Sequence, residues 1–402
     1  MLFQANSPKT PKTVMQSVMR CGIICGKEGI IMQILENLEL KFLSAVPIRS
    51  FELGDAHAAT DSNKQLTAKQ AKQDIAVLAQ MFINTYGGWP FYPKLLRLRI
   101  LNKLNRIYDK ITCPITASEL FAQLKPIIEI MPDNHLWIKL GDNLAKYPRS
   151  PRIDVGTNLA ITNGNGKKYW IDKIGNVGVI AFSKCFAPDD KENMERFRNR
   201  IRDVMSGTCA LVIDVRDNGG GSPLIMSMIC DEIMGPVGIP RTKRMWSRTT
   251  PQAQELYQYS TLSRDHIDKT FDPTIVVDNT KFKLPTDYRP VYDRPIYILQ
   301  NNKTASSAEH LQAQLRYHPQ MQIVGSNSSG CMQYTNYQTL KLGNSGILIQ
   351  LAGVYAEFFG IKHFETHGFT PDIKCPDGTD AFAVAMAQIE KAKTLQSQTH
   401  ER

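Results

Sequence analysis

From Thr67 onward apolar residues recur at three- and four-residue spacing, at Ala71, Ile75, Leu78, Met81 and Phe82, until Tyr86-Gly-Gly-Trp-Pro90 interrupts them. That period puts one apolar stripe on a helix, and the Gly and Pro residues end it. Further helices are predicted around Leu95 to Tyr108 and Ala117 to Ile130, so residues 63–130 read as a small helical N-terminal domain. Residues 1–62 show no steady periodicity and read as a poorly determined extension. After His135 the texture changes to short β runs, Leu136 to Leu140, Lys168 to Ile171 and Val177 to Phe182, which makes residues 131–176 a connecting β segment.

From residue 177 to 395 strands and helices alternate. Asp190 to Met205 reads as a helix, Ala210 to Asp214 as a buried strand and Ser222 to Ile233 as a helix; a strand at Ile296, a helix from Ser307 to Tyr317 and a strand at Ile323-Val324 follow. Two β runs, Tyr337 to Leu342 and Gly346 to Tyr355, precede a last helix over Asp380 to Lys393, while Pro236 to Arg289 looks like a long, proline-punctuated insertion. This order predicts α/β architecture.

With 402 residues, 42% of them hydrophobic, the chain is long enough for two or three units around substantial cores. The net charge of +10 includes the runs Arg196 to Arg202 and Arg241 to Arg244, which read as solvated faces because no nucleic-acid motif accompanies them. Nucleic-acid binding is therefore not expected, while attraction to acidic surfaces stays open. Eight dispersed cysteines without a CxxC pair signal neither a disulfide scaffold nor a zinc site and favour a reducing, cytoplasmic compartment, with export as the alternative. The apolar stretch Cys21 to Leu35 is broken by Lys27 and Glu28, so no membrane span is expected. Ala56-His-Ala58 imitates a signal-cleavage site, but Arg49, Glu52 and Asp55 interrupt the region before it.

Chemistry concentrates at two strand ends. The run Pro295 to Gln300 stops at Asn301-Asn-Lys-Thr-Ala-Ser-Ser-Ala-Glu309, which places Ser306 at a strand-to-helix elbow. Free N–H groups and the helix dipole favour negative charge there, so Ser306 can serve as a nucleophile with the next amide holding an oxyanion. Ser306-x-x-Glu309 also fits an ordinary capping box. The second strand end, Val212-Ile-Asp-Val-Arg-Asp-Asn-Gly-Gly-Gly-Ser222, brings glycines that let backbone amides approach a ligand, without P-loop or GxGxxG spacing.

These two segments, the Ile323-Val-Gly325 strand and the closing His367-Gly-Phe-Thr-Pro-Asp372 resemble, in order and spacing, the serine peptidases that include tail-specific (C-terminal processing) proteases and the tricorn core. The resemblance implies a crotonase-like ββα spiral core behind an N-terminal helical domain. It also implies Ser306 as nucleophile, with the amides of Ser307 and of Gly220 or Gly221 as oxyanion donors. Tail-specific proteases carry their lysine base 25 residues after the serine, where this chain has Cys331 in Ser328-Ser-Gly-Cys-Met332. A PDZ domain is not expected either, since only Gly141 to Asn176 separates the helical region from the core.

The tricorn-like branch takes its base from the N-terminal side, and Met131-Pro-Asp-Asn-His-Leu-Trp137 resembles its Asp-x-His segment. His135 is then the general base, titrating near neutrality, and Glu365 in Lys362-His-Phe-Glu-Thr-His-Gly368 the group that orients it. Read alone, His135 is a bonded loop histidine and Glu365 a solvent-facing strand residue. His363 and His367 compete for the base role, and Cys331 reads as an inert replacement. The expected activity is hydrolysis of peptides or unfolded protein through an acyl-enzyme, without metal or cofactor. The alternatives are a non-catalytic ligand-binding protein on the same scaffold and acyl-CoA chemistry on a crotonase-like fold. Oligomeric state is not legible.

Overall fold

The computed structural model describes residues 25–46, 52–57, 60–151, 153–164, 167–188, 190–256, 272–361 and 364–400. The helix predicted from Thr67 runs over Ala68–Asn84 and opens on a capping box. The Gln70 N–H donates to the Thr67 hydroxyl at 3.2 Å, and the Gln70 carboxamide oxygen accepts from the Thr67 N–H at 2.9 Å. Helices Lys94–Lys110 and Ala117–Ile128 follow and bury their apolar faces in one core with it.

A fourth helix, Cys25–Ala45, lies inside the segment that local periodicity leaves undetermined. Tertiary contacts define it. Leu35 and Phe42 are buried in the same core, and the Gln80 amide donates to the Phe42 and Val46 carbonyls, each at 3.0 Å. Among the described residues no helix is long and apolar enough to cross a membrane.

The larger part of the chain is α/β with mixed sheets. One six-stranded sheet has the order Ile373–Lys374, Met321–Gly325, Ile296–Gln300, Ala210–Asp214, Val177–Phe182, Tyr169–Ile174, parallel throughout except for the last pair. Helices Lys191–Met205, Leu224–Met234 and Ser307–Leu315 cover one face, and the Ala381–His400 helix packs on the other. Strands buried on both faces have no polar side to show, which is why Ala210 to Ile213 reads as an unbroken apolar run before Asp214.

The two central strands are in register, with Leu299 opposite Asp214, so their carboxyl ends reach the same edge of the sheet. That edge is where open parallel sheets bind ligands. It receives the glycine run from one strand and the Ser306 elbow from the other. Just beyond the first strand Arg216 is fully buried and bonds Asp214 twice, at 3.0 and 2.8 Å, Asp380 at 2.6 Å and the Val155 carbonyl at 2.7 Å. A buried guanidinium needs these acceptors, and in finding them it fixes the strand end that carries the glycines.

A second, antiparallel sheet centres on Leu348–Glu357. This strand pairs with Tyr334–Lys341 on one side and, on the other, with Trp137–Leu140 and Arg244–Ser247. The proline-punctuated insertion thus supplies a strand, Arg244–Ser247, and its partner Thr274–Asp278. His135 lies two residues before Trp137, so this sheet carries the histidine to the cleft that Ser306 also lines.

Candidate active site

Ser306 sits between the strand Ile296–Gln300 and the helix Ser307–Leu315 with φ 56° and ψ −123°, a left-handed backbone that a side chain rarely adopts. The strain is held in place from both sides. Ala305 N–H donates to the Asn218 carbonyl at 3.0 Å, the Thr304 hydroxyl to the Val215 carbonyl at 2.8 Å, and the Ser306 N–H to the Glu309 carboxylate at 2.9 Å. Only that half of the capping box forms through side chains, because the Ser306 hydroxyl makes no cap bond. A strained elbow that leaves its hydroxyl uncommitted is the geometry that presents a serine nucleophile.

The glycine loop lies against this elbow. Gly220 has φ 99°, and a Cβ on it would meet the Ser306 Cβ at 2.8 Å, so only glycine fits. Its N–H is already donated to the Asn218 side chain at 3.0 Å. Gly221, with φ 132°, accepts the Ser307 hydroxyl at its carbonyl, at 2.6 Å. The Gly221 and Ser307 amides line the cleft beside Ser306, and neither makes a hydrogen bond among the described residues. Of the two glycines, Gly221 is therefore the one with a donor to spare.

His135 is placed by its neighbours. Buried Asp133 accepts the N–H groups of His135 and Leu136 at 2.7 and 3.2 Å on one oxygen and the Tyr86 hydroxyl at 2.8 Å on the other. The Asn134 side chain donates to the Ser329 and Gly330 carbonyls at 3.1 and 2.9 Å, and Gln350 donates to the His135 carbonyl at 2.6 Å. Tyr337 stacks on the imidazole, 5.2 Å between ring centres.

Glu365 is buried and not solvent-facing, and it approaches this loop through the backbone. Its two oxygens accept the Asn134 N–H at 2.8 Å and the Gln333 N–H at 3.0 Å. Among the described residues no hydrogen bond joins His135 to Ser306 or to the Glu365 carboxylate. His363 falls outside the described residues. His367 bonds the Glu365 carbonyl at 2.9 Å and lines a separate cavity of about 150 Å³.

Glu309 is a residue whose role exceeds its sequence signal. Fully buried, it accepts from Ser306 N–H, the Ser328 hydroxyl at 2.6 Å, and the Gly330 and Cys331 N–H groups at 2.7 and 2.9 Å, tying the elbow to the loop that faces His135. Burial pushes its carboxyl up to about 7 against the pull of those donors. The capping-box spacing shows the bond to Ser306; the partners 19 to 22 residues away leave no local pattern.

The Cys331 sulfur lies 3.5 Å from Nδ1 and 3.4 Å from Nε2 of His135. One atom equidistant from both nitrogens cannot lie along either nitrogen's bonding direction, so this is packing against the ring. Burial, followed by the charges of Glu365 and Glu309, raises the thiol far above its ordinary range, which leaves it without nucleophilic thiolate. Native protein treated with iodoacetamide at pH 7 is expected to be alkylated at exposed Cys113 and spared at Cys331, with turnover retained. Peptide mapping checks this; modification of Cys331 with loss of turnover would assign the thiol a chemical role.

Ser306, Ser307, Gly221, His135 and Cys331 line a single cleft of about 1030 Å³. No group of three or more His, Cys, Asp or Glu able to hold a metal is found among the described residues. The sequence model of peptidase family S41 matches residues 173–375, half of the chain, and includes both the elbow and the glycine loop. The chain belongs to peptidase family S41 and is a serine peptidase. Two solved structures share its fold at low identity. A candidate peptidase from Parabacteroides merdae is 16% identical, with a TM-score of 0.54 over 81% of this chain and 97% of the other. Mature CPAF in complex with lactacystin is 14% identical, with a TM-score of 0.51 over 82% of this chain and 98% of the other. No curated protein matches the chain.

Proposed function

We propose that this protein hydrolyses peptides and unfolded protein segments through an acyl-enzyme formed on Ser306. The observation that carries the proposal is the strained elbow at Ser306, facing His135 across one cleft. The Ser306 Oγ attacks the scissile carbonyl as His135 takes its proton, and the tetrahedral oxyanion is held by the Ser307 and Gly221 amides. His135 returns the proton to the leaving amine, and water then releases the acyl group by the same steps in reverse. Glu365 serves as a positioning residue that fixes the His135 loop through the Asn134 amide, while burial and the neighbouring Asp133 raise its carboxyl well above the usual range. Catalytic hydrogen bonds are often long before substrate binds, and the bond between His135 and Ser306 is expected to form with peptide in the cleft.

Residues 177–395 in this reading form the catalytic unit on a crotonase-like spiral core, residues 131–176 deliver the base, and the helices of residues 63–130 support it. No step calls for a metal or cofactor. Hydrolysis of denatured casein is expected to proceed undiminished in EDTA, with an acyl adduct on the Ser306 peptide in acid-quenched samples. Peptide binding without cleavage or adduct would favour a non-catalytic ligand-binding protein.

The electrostatics carry a pH prediction. Burial above all, and the charge of Arg149, push the His135 imidazole down to about 4, against an opposing backbone hydrogen bond at Tyr334. The neutral form is the one that accepts a proton, so the base is competent above about 4, lower than the near-neutral titration an exposed histidine would give. Histidine-selective NMR, assigned with His135→Gln, is expected to show a neutral ring down to about pH 4. A midpoint near 6.5 would contradict the burial argument.

A further inference from the structure

Two guanidiniums, Arg149 and Arg241, line the cleft that holds Ser306, and neither has an ion-pair partner among the described residues. The one carboxylate lining the cleft, Asp231, already faces Arg198 at 3.5 Å. Arg241 is half-buried, not the solvated residue its basic run suggests. Burial lowers its guanidinium below the usual range, with only Cys230 pulling the other way among the described residues. A charge drawn partly out of water without a counter-charge is costly. An anion arriving in the cleft would relieve that cost.

Arg241 acts on the helix that Ser306 opens. His310 is the fourth residue of that helix, Ser307–Leu315. It lines the cleft, its Nδ1 is buried without a partner, and the charge of Arg241 acts on it.

Resting on the peptidase reading above, we propose that Arg241 forms a subsite for a substrate carboxylate in the cleft that holds Ser306, so that the enzyme selects acidic segments. Arg149, exposed on the same cleft, adds positive charge that attracts such segments to it. A carboxylate gives Arg241 the charge-assisted hydrogen bonds the fold does not supply, and an amide of the same shape does not.

The test compares end-blocked peptides carrying Glu or Gln at each of three positions on either side of the cleaved bond, plus one neutral peptide with a free C-terminus. Binding is read by fluorescence anisotropy on the Ser306→Ala protein and cleavage on the parent. At one position Glu is expected to outperform Gln by about tenfold or more in Kd and in kcat/KM, the scale of a hydrogen bond to a charged group. Arg241→Gln, made in each background, should bring that ratio to about one, and Arg241→Glu should turn the preference toward Lys. The free-terminus peptide tells whether a chain-end carboxylate is taken in the same way as a side chain. Glu and Gln peptides that bind and cleave alike in the parent, or a preference for Glu that survives Arg241→Gln, would overturn the subsite. If Glu peptides bind through Arg241 yet none is cleaved, the subsite stands and the peptidase reading of Ser306 fails.

Discussion

Ser306→Ala is expected to lower peptidase turnover on the order of 10⁴-fold or more while leaving the folding free energy within about 1 kcal/mol of the parent. The two halves of this expectation have separate origins. The hydroxyl makes no cap bond, so the fold loses little when it goes, and the elbow stays pinned through backbone contacts to Asn218 and Glu309. Chemistry loses its nucleophile altogether, and what remains is the rate that the oxyanion donors and binding can support alone. Steady-state peptide hydrolysis and urea denaturation of the same preparation check both. Turnover within tenfold of the parent would remove Ser306 from the mechanism. A collapse of stability would instead make it a structural residue.

The second large effect concerns His135. His135→Ala is expected to cost about 10³-fold or more in kcat, and the His135→Ala/Ser306→Ala double variant to be no more than about tenfold worse than either single one, since members of one catalytic unit are not additive. Independent, multiplying losses would mean that the two residues act in different steps. Glu365→Gln behaves differently from a simple loss of charge. Both Glu365 oxygens accept backbone N–H groups, and an amide nitrogen would face one of those donors, so the variant is expected to disturb the His135 loop.

Much of the framework is legible in the chain because it is written in local patterns. The Ala68–Asn84 helix follows its apolar spacing and its capping box, and the strand Ala210–Asp214 appears at its predicted bounds because an unbroken apolar run bounded by polar and glycine residues has few other uses. The Ser306 elbow is readable as a break between a strand pattern and a helix start. What escapes sequence reading depends on distant partners. The Cys25–Ala45 helix is held by Gln80 and the shared core rather than by its own periodicity. Glu309 reads as a cap residue, yet it is the acceptor that joins Ser306 to residues 328–331. The reach of Glu365 to the Asn134 amide spans 231 residues, and the missing counter-charge of Arg241 is a property of the cleft, not of any segment.

The proposed mechanism has His135 activate Ser306 as the nucleophile. It is tested most directly by labelling the native protein with a fluorophosphonate probe and locating the adduct by mass spectrometry, in the parent and in both single variants. The predicted result is one adduct on Ser306, absent in Ser306→Ala and formed at least about 100-fold more slowly in His135→Ala. An adduct on any other residue, a labelling rate unchanged in His135→Ala, or no reaction from a folded parent that cleaves peptides would contradict it.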